Sequence, residues 1–197
     1  MKKLLVFTAL ILSTFLLSNA QCGEKCGVVR WPVKSLSDTT VTNINFTPKR
    51  KTVRWLNNAR PPQQRPAKTR INGLEWINFR VKAVLVGYKK SPDDNDFHVV
   101  IKDLQTSDTM IVEFKDPICS GVCDSPFVSD MQKGRDDFLN SAPVQERGRP
   151  TSSFKRLNTL VIVELIGVGF WDHKHGQIGV AKNGIELHPV IDFKVVP

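Results

Sequence analysis

The sequence lacks the short motifs that mark the commonest hydrolases and nucleotide-binding enzymes. It contains no Gly-x-Ser-x-Gly nucleophile motif, no glycine-rich phosphate loop and no His-Glu-x-x-His zinc motif. The aspartate-rich loop at 93–96, next to His98, also lacks the later glycine and glutamate of an EF-hand calcium loop, which favours a solvated turn. These absences lower the expectation of an enzyme with one of those mechanisms, but they leave open whether the chain is an enzyme at all.

Long hydrophobic runs are also scarce. The run Leu4–Leu17 follows two lysines and is followed by small residues ending at Ala20, a pattern typical of a cleavable signal peptide at residues 1–20. It is too short to span a bilayer comfortably, and the most apolar later stretch, Leu157–Trp171, is interrupted by an asparagine and a glutamate. We therefore expect no transmembrane segment and a periplasmic or secreted location.

The chain contains only four cysteines, and they form two pairs with equal spacing. These are Cys22 with Cys26 and Cys119 with Cys123. Because an exported protein meets an oxidising environment, the pairs predict disulfides. We expect bridges between the pairs, since a long closed loop restricts the unfolded chain more than a short one. Two alternatives remain, a four-cysteine zinc site and lipidation of Cys22.

Positive charge is concentrated in the N-terminal third. The chain has 28 Lys and Arg against 19 Asp and Glu, yet residues 21–80 contain twelve of the basic residues and only three of the acidic ones. Residues 21–73 also include the proline-rich stretch Arg60–Pro66, and they predict a basic arm with one short helix near Thr52–Asn58. Positive charges next to an aromatic ring are typical of a polyanion-binding surface. The predicted ligand-binding residues are Lys49, Arg50, Lys51, Arg54 and Trp55.

From Leu74 onwards the pattern changes to strands separated by turns, which predicts a domain at residues 74–197. Alternating apolar residues indicate half-buried strands, and the run before Trp171 indicates a long buried strand bent at Gly167 and Gly169. Ser125 and Pro126 predict a helix start. The predicted elements are strands at 79–85, 97–101 and 109–114, a helix at 126–140, a polar loop at 142–153, and strands at 157–171 and 185–196.

Three strands, a helix and two strands are the order of an OB-fold. The sequence thus predicts a mainly β protein, an OB-fold-like five-stranded barrel with the order β-β-β-α-β-β and one helix, preceded by the basic arm. An α+β sandwich has the same number of elements and is the alternative. The bent fourth strand favours the barrel.

Histidine and glutamate are concentrated near the C-terminus. The candidate metal ligands are His173, His175, Glu186 and His188, and the candidate catalytic groups are His98, His175, Glu186 and His188. Residues two apart on an extended chain project to the same side, so these groups can gather at one end of a hairpin. Such a cluster suits a divalent metal or general acid–base chemistry. A hydrogen-bonded structural hairpin is the alternative.

Several segments resemble a known family. The segments 30–38, 45–48 and 96–101, and above all the run His175–Val190 with the pattern HGQxGVxxNGIELHPV, resemble a widespread family of uncharacterised exported bacterial proteins. The segment 186–190 is also similar to the last barrel strand of thermonuclease-like OB-fold proteins. That similarity implies a barrel, but the Arg/Glu/Arg constellation of those nucleases has no match here.

These patterns favour an exported binding module without a cofactor, whose partner is an anionic polymer such as a nucleic acid or an acidic glycan. They indicate no specific protein partner. The alternative is a metal-assisted hydrolase of the phosphodiesterase or nuclease type that uses the C-terminal His/Glu cluster and a divalent metal.

Overall fold

The computed structural model describes residue 23 and residues 25–66, 68–71 and 73–197. The predicted signal peptide at 1–20 and Cys22 lie outside the described residues. Within that part, no helix has both the length and the apolar character needed to cross a membrane. The elements are α1 (Trp31–Lys34), β1 (Asn45–Arg50), α2 (Val53–Asn57), β2 (Ile77–Lys90), β3 (Phe97–Lys102), β4 (Thr109–Phe114), α3 (Val128–Asn140), α4 (Ala142–Arg147), β5 (Lys155–Arg156), β6 (Ile162–Trp171) and β7 (Ile185–Val195).

Five strands close into a barrel. Their order is β2-β3-β4-β7-β6, and β2 pairs with β6 to complete the ring. Neighbours are antiparallel except β4 and β7, which are parallel on either side of the connection that contains α3. This arrangement confirms the predicted OB-fold-like barrel, because a five-stranded Greek-key barrel has this strand order and a helix after its third strand.

Alternation along the strands divides inside from outside. In β2 the residues Phe79, Val81 and Leu85 are buried in the barrel core, whereas Lys82 between them is exposed. Phe138 of α3 belongs to the same core, with its ring centroid 4.8 Å from that of Phe114. The predicted bend in β6 is confirmed, since the β6–β7 register shifts on both sides of Gly167.

Two predictions about local structure are wrong, and the prediction of an arm at 21–73 omitted a strand. Helix α3 begins at Val128 with Phe127 at its N-cap, and Ser125 instead accepts a hydrogen bond at Oγ from the Phe127 N–H, 3.2 Å away. The predicted polar loop 142–153 contains the helix α4, so the chain has more than one helix. The predicted arm includes the strand β1, which pairs in parallel with β2. Residues 45–50 alternate only over the first four positions, between exposed and half-buried side chains, which is too short a pattern to have indicated a strand. The predicted short helix near 52–58 is present as α2.

The segment 26–44 lies over the outer surface of the barrel. A disulfide joins Cys26 to Cys119, 93 residues apart, and Cys123 is also disulfide-bonded. Arg30 donates to both carboxylate oxygens of Glu75 at 2.7 and 2.6 Å, and both side chains are buried. A bidentate pair fixes direction as well as distance. The expected cross-link between the two cysteine pairs is thus confirmed for Cys26 and Cys119.

Candidate functional site

A row of polar side chains crosses three strands on the outer face of the barrel. His98 of β3 lies opposite Glu113 of β4 in register, and the parallel pairing of Val112 with Leu187 brings His188 of β7 next to Glu113. Their neighbours Val112 and Leu187 point into the barrel core. Because successive side chains alternate across a strand, the polar row must face the other way, towards the segment 26–44.

His188 is the centre of this cluster and is fully buried. Its Nδ1 lies 3.1 Å from Glu113 Oε2 and 3.8 Å from Glu186 Oε2. Its Nε2 lies 3.1 Å from Lys115 Nζ and 3.5 Å from Asp96 Oδ2. Burial, followed by the Lys115 charge, moves the pKa of His188 well below its usual value, so the ring is neutral at pH 7. An ammonium only donates, so Nε2 accepts from Lys115 and Nδ1 carries the ring proton, which makes no well-aligned hydrogen bond within the described residues.

Lys115 lies next to Nε2 of the His188 ring and has no solvent exposure. Its ammonium donates to Asp96 Oδ2 at 2.5 Å and to His188, and it lies 3.7 Å from the centroid of the Trp31 ring. The Trp31 indole N–H is held by the Ser120 carbonyl at 2.7 Å. Lys115 is therefore a buried cation bound by a carboxylate, an imidazole and an aromatic face.

This arrangement bears on the predicted metal site. Asp96, Glu113 and His188 present ligand atoms within 4.8 Å of one another, which is compact enough for a metal ion. However, two of the three are already bonded to the Lys115 ammonium. A divalent ion there would have to displace a buried lysine from a buried carboxylate, so these residues fit a resident ammonium better than a metal.

The two glutamates near His188 Nδ1, Glu113 and Glu186, have pKa values shifted in opposite directions. Burial raises the pKa of Glu186 well above its usual value, and the nearby Glu113 charge raises it further. Burial acts in the same direction on Glu113, but the His188 imidazole, the hydrogen bond from His98 and the Lys34 charge outweigh it and hold its pKa well below its usual range. The surroundings therefore favour the ionised form at Glu113 and disfavour it at Glu186.

The loop between β6 and β7, residues 172–184, reaches back to this row. His98 Nε2 lies 3.0 Å from the Ile178 carbonyl, and its Nδ1 lies 3.2 Å from Glu113 Oε1. Gly179 makes this approach possible, because a Cβ there would lie 2.4 Å from Val100 and the residue has a φ of +80°. His98 thereby links the loop to the ionised glutamate.

Above the row lies a cleft of about 370 Å³. Its walls come from the segment 26–44, from β3 and β4, from the β2–β3 loop and from the β6–β7 loop. OB-fold barrels bind ligands on this face, which is formed by the second and third strands and by the loops after the first and fourth strands. The lining residues used below are Val28, Val29, Trp31, Lys34, Lys89, Asp93, Asp94, His98, Glu113, Asp172 and Glu186.

The cleft is acidic. Five carboxyl groups line it, against two lysines, one of which, Lys34, lies 3.5 Å from Asp172. Burial raises the pKa of Asp94 to about 6, with smaller contributions from Asp96 and Glu113. A negative, partly enclosed surface repels phosphodiesters and other anions. The cleft is therefore unsuited to the polyanion predicted for the arm.

The structure brings together some of the predicted residues and separates others. His98, Glu186 and His188 belong to the one cluster, whereas His173 and His175 are exposed on the β6–β7 loop at the rim of the cleft. Sequence reasoning missed three members, Asp96, Glu113 and Lys115. Asp96, interpreted as part of a solvated turn, is fully buried, which corrects that interpretation. A glutamate inside the apolar strand 109–114 was a signal available in the sequence.

The predicted polyanion-binding residues lie on other elements. Lys49 and Arg50 are exposed on β1, Arg54 and Trp55 are exposed on α2, and the Lys51 ammonium lies 3.9 Å from the Trp55 ring centroid. Beside them, Glu164 of β6 is contacted by Arg50 at 3.2 Å, Arg80 at 2.9 Å and Lys194 at 3.0 Å. We call this surface the basic ridge. Its members are Lys49, Arg50, Lys51, Arg54, Trp55, Arg80, Lys82, Glu164 and Lys194.

The fold and the site define a class, an OB-fold-like barrel with an acidic cleft over its second and third strands and a separate basic ridge. Comparison with known proteins adds little to this. No protein-family model and no curated protein matches the chain. Among solved structures, the chain is similar to a putative aspartyl-tRNA synthetase from Leishmania major Friedlin, with 13% identity and a TM-score of 0.42 over 79% of this chain. The match spans 22% of that protein's chain.

Proposed function

We propose that the protein is an exported binding module whose basic ridge holds an anionic polymer, either a nucleic acid or an acidic glycan. The observation that carries this proposal is the convergence of Arg50, Arg80 and Lys194 on one carboxylate. These cations come from three different strands, and Glu164 neutralises only one of their charges. The Cys26–Cys119 disulfide supports an oxidising location.

The ridge also offers a surface for stacking. Trp55 is 43% exposed, and Thr52 caps the helix that presents it, with Thr52 Oγ1 accepting from the Trp55 N–H at 3.0 Å. A sugar ring or a base can stack on this indole while phosphate, sulfate or carboxylate groups contact the lysines and arginines. Because the cations are exposed, most of the affinity will depend on ionic strength.

The test is a salt titration of binding to a fluorescent single-stranded DNA and to heparin. The variant Lys49→Ala with Lys51→Ala removes two ridge charges and is expected to lower the slope of log affinity against log salt by about 1 to 2 units. The matched control, Lys68→Ala with Lys174→Ala, removes two exposed charges elsewhere and is expected to leave the slope nearly unchanged. Equal slopes for the two variants would overturn the proposal. So would a failure of the wild-type protein to bind either polymer at low salt.

A Trp55→Ala variant separates the polymers. Loss of affinity for DNA with unchanged affinity for heparin would indicate stacking of bases and so favour a nucleic acid. Equal affinities of wild type and variant for both polymers would favour recognition of charge alone, as in an acidic glycan. Both outcomes require that the lysine variants behave as described.

A further inference from the structure

One carboxyl group that lines the acidic cleft, that of Glu186, has an oxygen without a hydrogen-bond partner within the described residues. Glu186 is 1% exposed, and its Oε2 has no hydrogen-bond partner within residues 25–66, 68–71 and 73–197. Glu186 also lines the cleft, so this buried side chain borders an open space. Buried polar atoms nearly always have partners, so one beside a cleft is a place where a ligand atom fits.

The other side of the same imidazole shows which kind of ligand atom the environment suits. At His188 Nε2 the protein places its own ammonium, Lys115, against Asp96, His188 and the Trp31 ring. At His188 Nδ1 two further carboxyl groups, Glu113 and Glu186, approach the ring at 3.1 and 3.8 Å. The described part of the chain provides no ion pair from a lysine or arginine to either of them.

We propose that the cleft binds a primary ammonium group carried on a short apolar stem, with Glu113 and Glu186 as its acceptors. The ligand nitrogen would lie near the two carboxyl groups beside His188 Nδ1, in the same way that the Lys115 nitrogen lies near Asp96 beside His188 Nε2. An ammonium has three N–H donors, and the two carboxyl groups provide the acceptors it requires.

The apolar part of the ligand follows from the walls of the cleft. Val28 and Val29 line it and are 84% and 55% exposed, and the Trp31 ring forms another part of the wall. Exposed valines next to an acidic floor suit an amphipathic cation, whose stem is removed from water while its charge reaches the carboxylates. The volume of about 370 Å³ is at the lower end of the range for small-molecule sites.

Charge selects against the other ligand classes. With five carboxyl groups against two lysines, the cleft repels a carboxylate or phosphate ligand. A neutral alcohol can donate only one hydrogen bond and adds no positive charge beside the two carboxyl groups. This inference does not depend on the polyanion proposal, because the two sites share no residue.

The test is an NMR or calorimetric titration of the intact oxidised protein with n-butylammonium. The comparison ligands are 1-butanol, butanoate and methylammonium. We expect butylammonium to bind at least tenfold more tightly than butanol and methylammonium, and butanoate not to bind. Butanol binding as tightly as butylammonium, or absence of butylammonium binding at tens of millimolar, would overturn the proposal.

Matched variants locate the ligand nitrogen. Glu186→Gln is expected to weaken butylammonium binding at least tenfold, whereas Asp93→Asn, the same carboxyl-to-amide change at an exposed position of the cleft, is expected to weaken it less than twofold. Equal effects of the two substitutions would show that only the general field of the cleft acts, which would overturn the assignment. Ligand-induced chemical-shift changes at the His98 and His188 rings provide a readout in the unmodified chain, and their absence would also overturn it.

The natural source of the ammonium can be either a free amine or a lysine side chain. Titration with 1,5-diaminopentane and with N-acetyl-lysine-amide distinguishes them. Tighter binding of the diamine indicates a free amine, and tighter binding of the blocked lysine indicates a lysine side chain of a peptide. Failure of both to bind more tightly than butanol contradicts the shared chemistry.

Discussion

The basic ridge and the acidic cleft combine the same charged groups in opposite proportions. On the ridge, three cations surround one carboxylate, Glu164, and two of the three, Arg50 and Lys194, extend into solvent. Next to the cleft, three carboxyl groups lie within 3.8 Å of the neutral ring of His188, and Lys115, a cation bonded to that ring, is completely buried. The exposed charges of the ridge are screened by solvent and change the stability of the fold little. The buried charges of the His188 cluster destabilise the fold when a partner is removed.

Strand β7 contributes to both sites. His188 and Lys194 are six residues apart, which corresponds to about 20 Å along an extended strand. Opposite fields at this separation are largely screened from each other at physiological ionic strength, where the Debye length is about 8 Å. Each site is therefore largely free of the electrostatic field of the other.

The largest expected effect concerns the disulfide that holds the wall of the cleft. Replacing all four cysteines by serine is expected to lower the free energy of unfolding by about 4 kcal/mol, because the Cys26–Cys119 bridge closes a loop of 93 residues in the unfolded chain and the bond at Cys123, if left in place, can close a similar loop. Urea denaturation measures the loss. A loss below 1 kcal/mol would show that the segment 26–44 is held by its other contacts, and polyanion binding at the ridge should persist in the folded variant.

The same substitution at the two sites gives the most direct comparison. Lys115→Met is expected to lower the free energy of unfolding by about 3 kcal/mol, because it leaves Asp96 buried without its cation. Lys51→Met on the ridge is expected to change it by less than 0.5 kcal/mol. Thermal or urea denaturation of both variants provides the measurement. Equal effects would remove the distinction between a buried and a screened charge.

A smaller effect is expected from Asp94 of the cleft and depends on pH. Its pKa is raised to about 6 in the folded protein, so the folded state holds this proton more tightly than the unfolded state does. Its contribution to stability is present below about pH 4 and is lost as pH rises towards 6. Asp94→Asn is therefore expected to raise the free energy of unfolding at pH 7 by about 1 kcal/mol, and to have little effect at pH 4.

The control for this prediction is Asp93→Asn, since Asp93 is an exposed neighbour on the same loop. It should leave the difference in stability between pH 4 and pH 7 unchanged. A raised stability at pH 7 in this variant too would assign the effect to the total negative charge of the cleft, and not to the buried position of Asp94.

The smallest effect concerns metal ions. Because Lys115 is bonded to two of the three potential ligands, Zn²⁺, Mn²⁺ or Ca²⁺ at tenfold molar excess is expected to leave the melting temperature within 1 °C of the metal-free value. A stabilisation of several degrees would show that a metal displaces the ammonium. It would restore the metal-assisted hydrolase as the favoured function of this cluster.

Much of the barrel was predictable because its signals are local. The alternation in Phe79–Leu85 and the glycines at 167 and 169 determine a half-buried strand and a bend whatever lies around them. The start of α3 was not predictable, because Ser125 accepts a hydrogen bond from the Phe127 N–H in a turn before the helix. The helix α4 was not predictable either, because residues 142–147 have no clear periodicity. The similarity to exported bacterial proteins stays a prediction.

The sequence by itself determined the barrel, the concentration of positive charge before residue 80 and the presence of an even number of cysteines. These follow from residue type and spacing along the chain. Only the tertiary structure decided that Asp96, Glu113, Lys115 and His188 form one cluster and that Glu186 opens to a cleft. The physical reason is that the register of β3, β4 and β7 and the disulfide-held segment 26–44 set their distances and burial, and burial decides which charged group needs which partner.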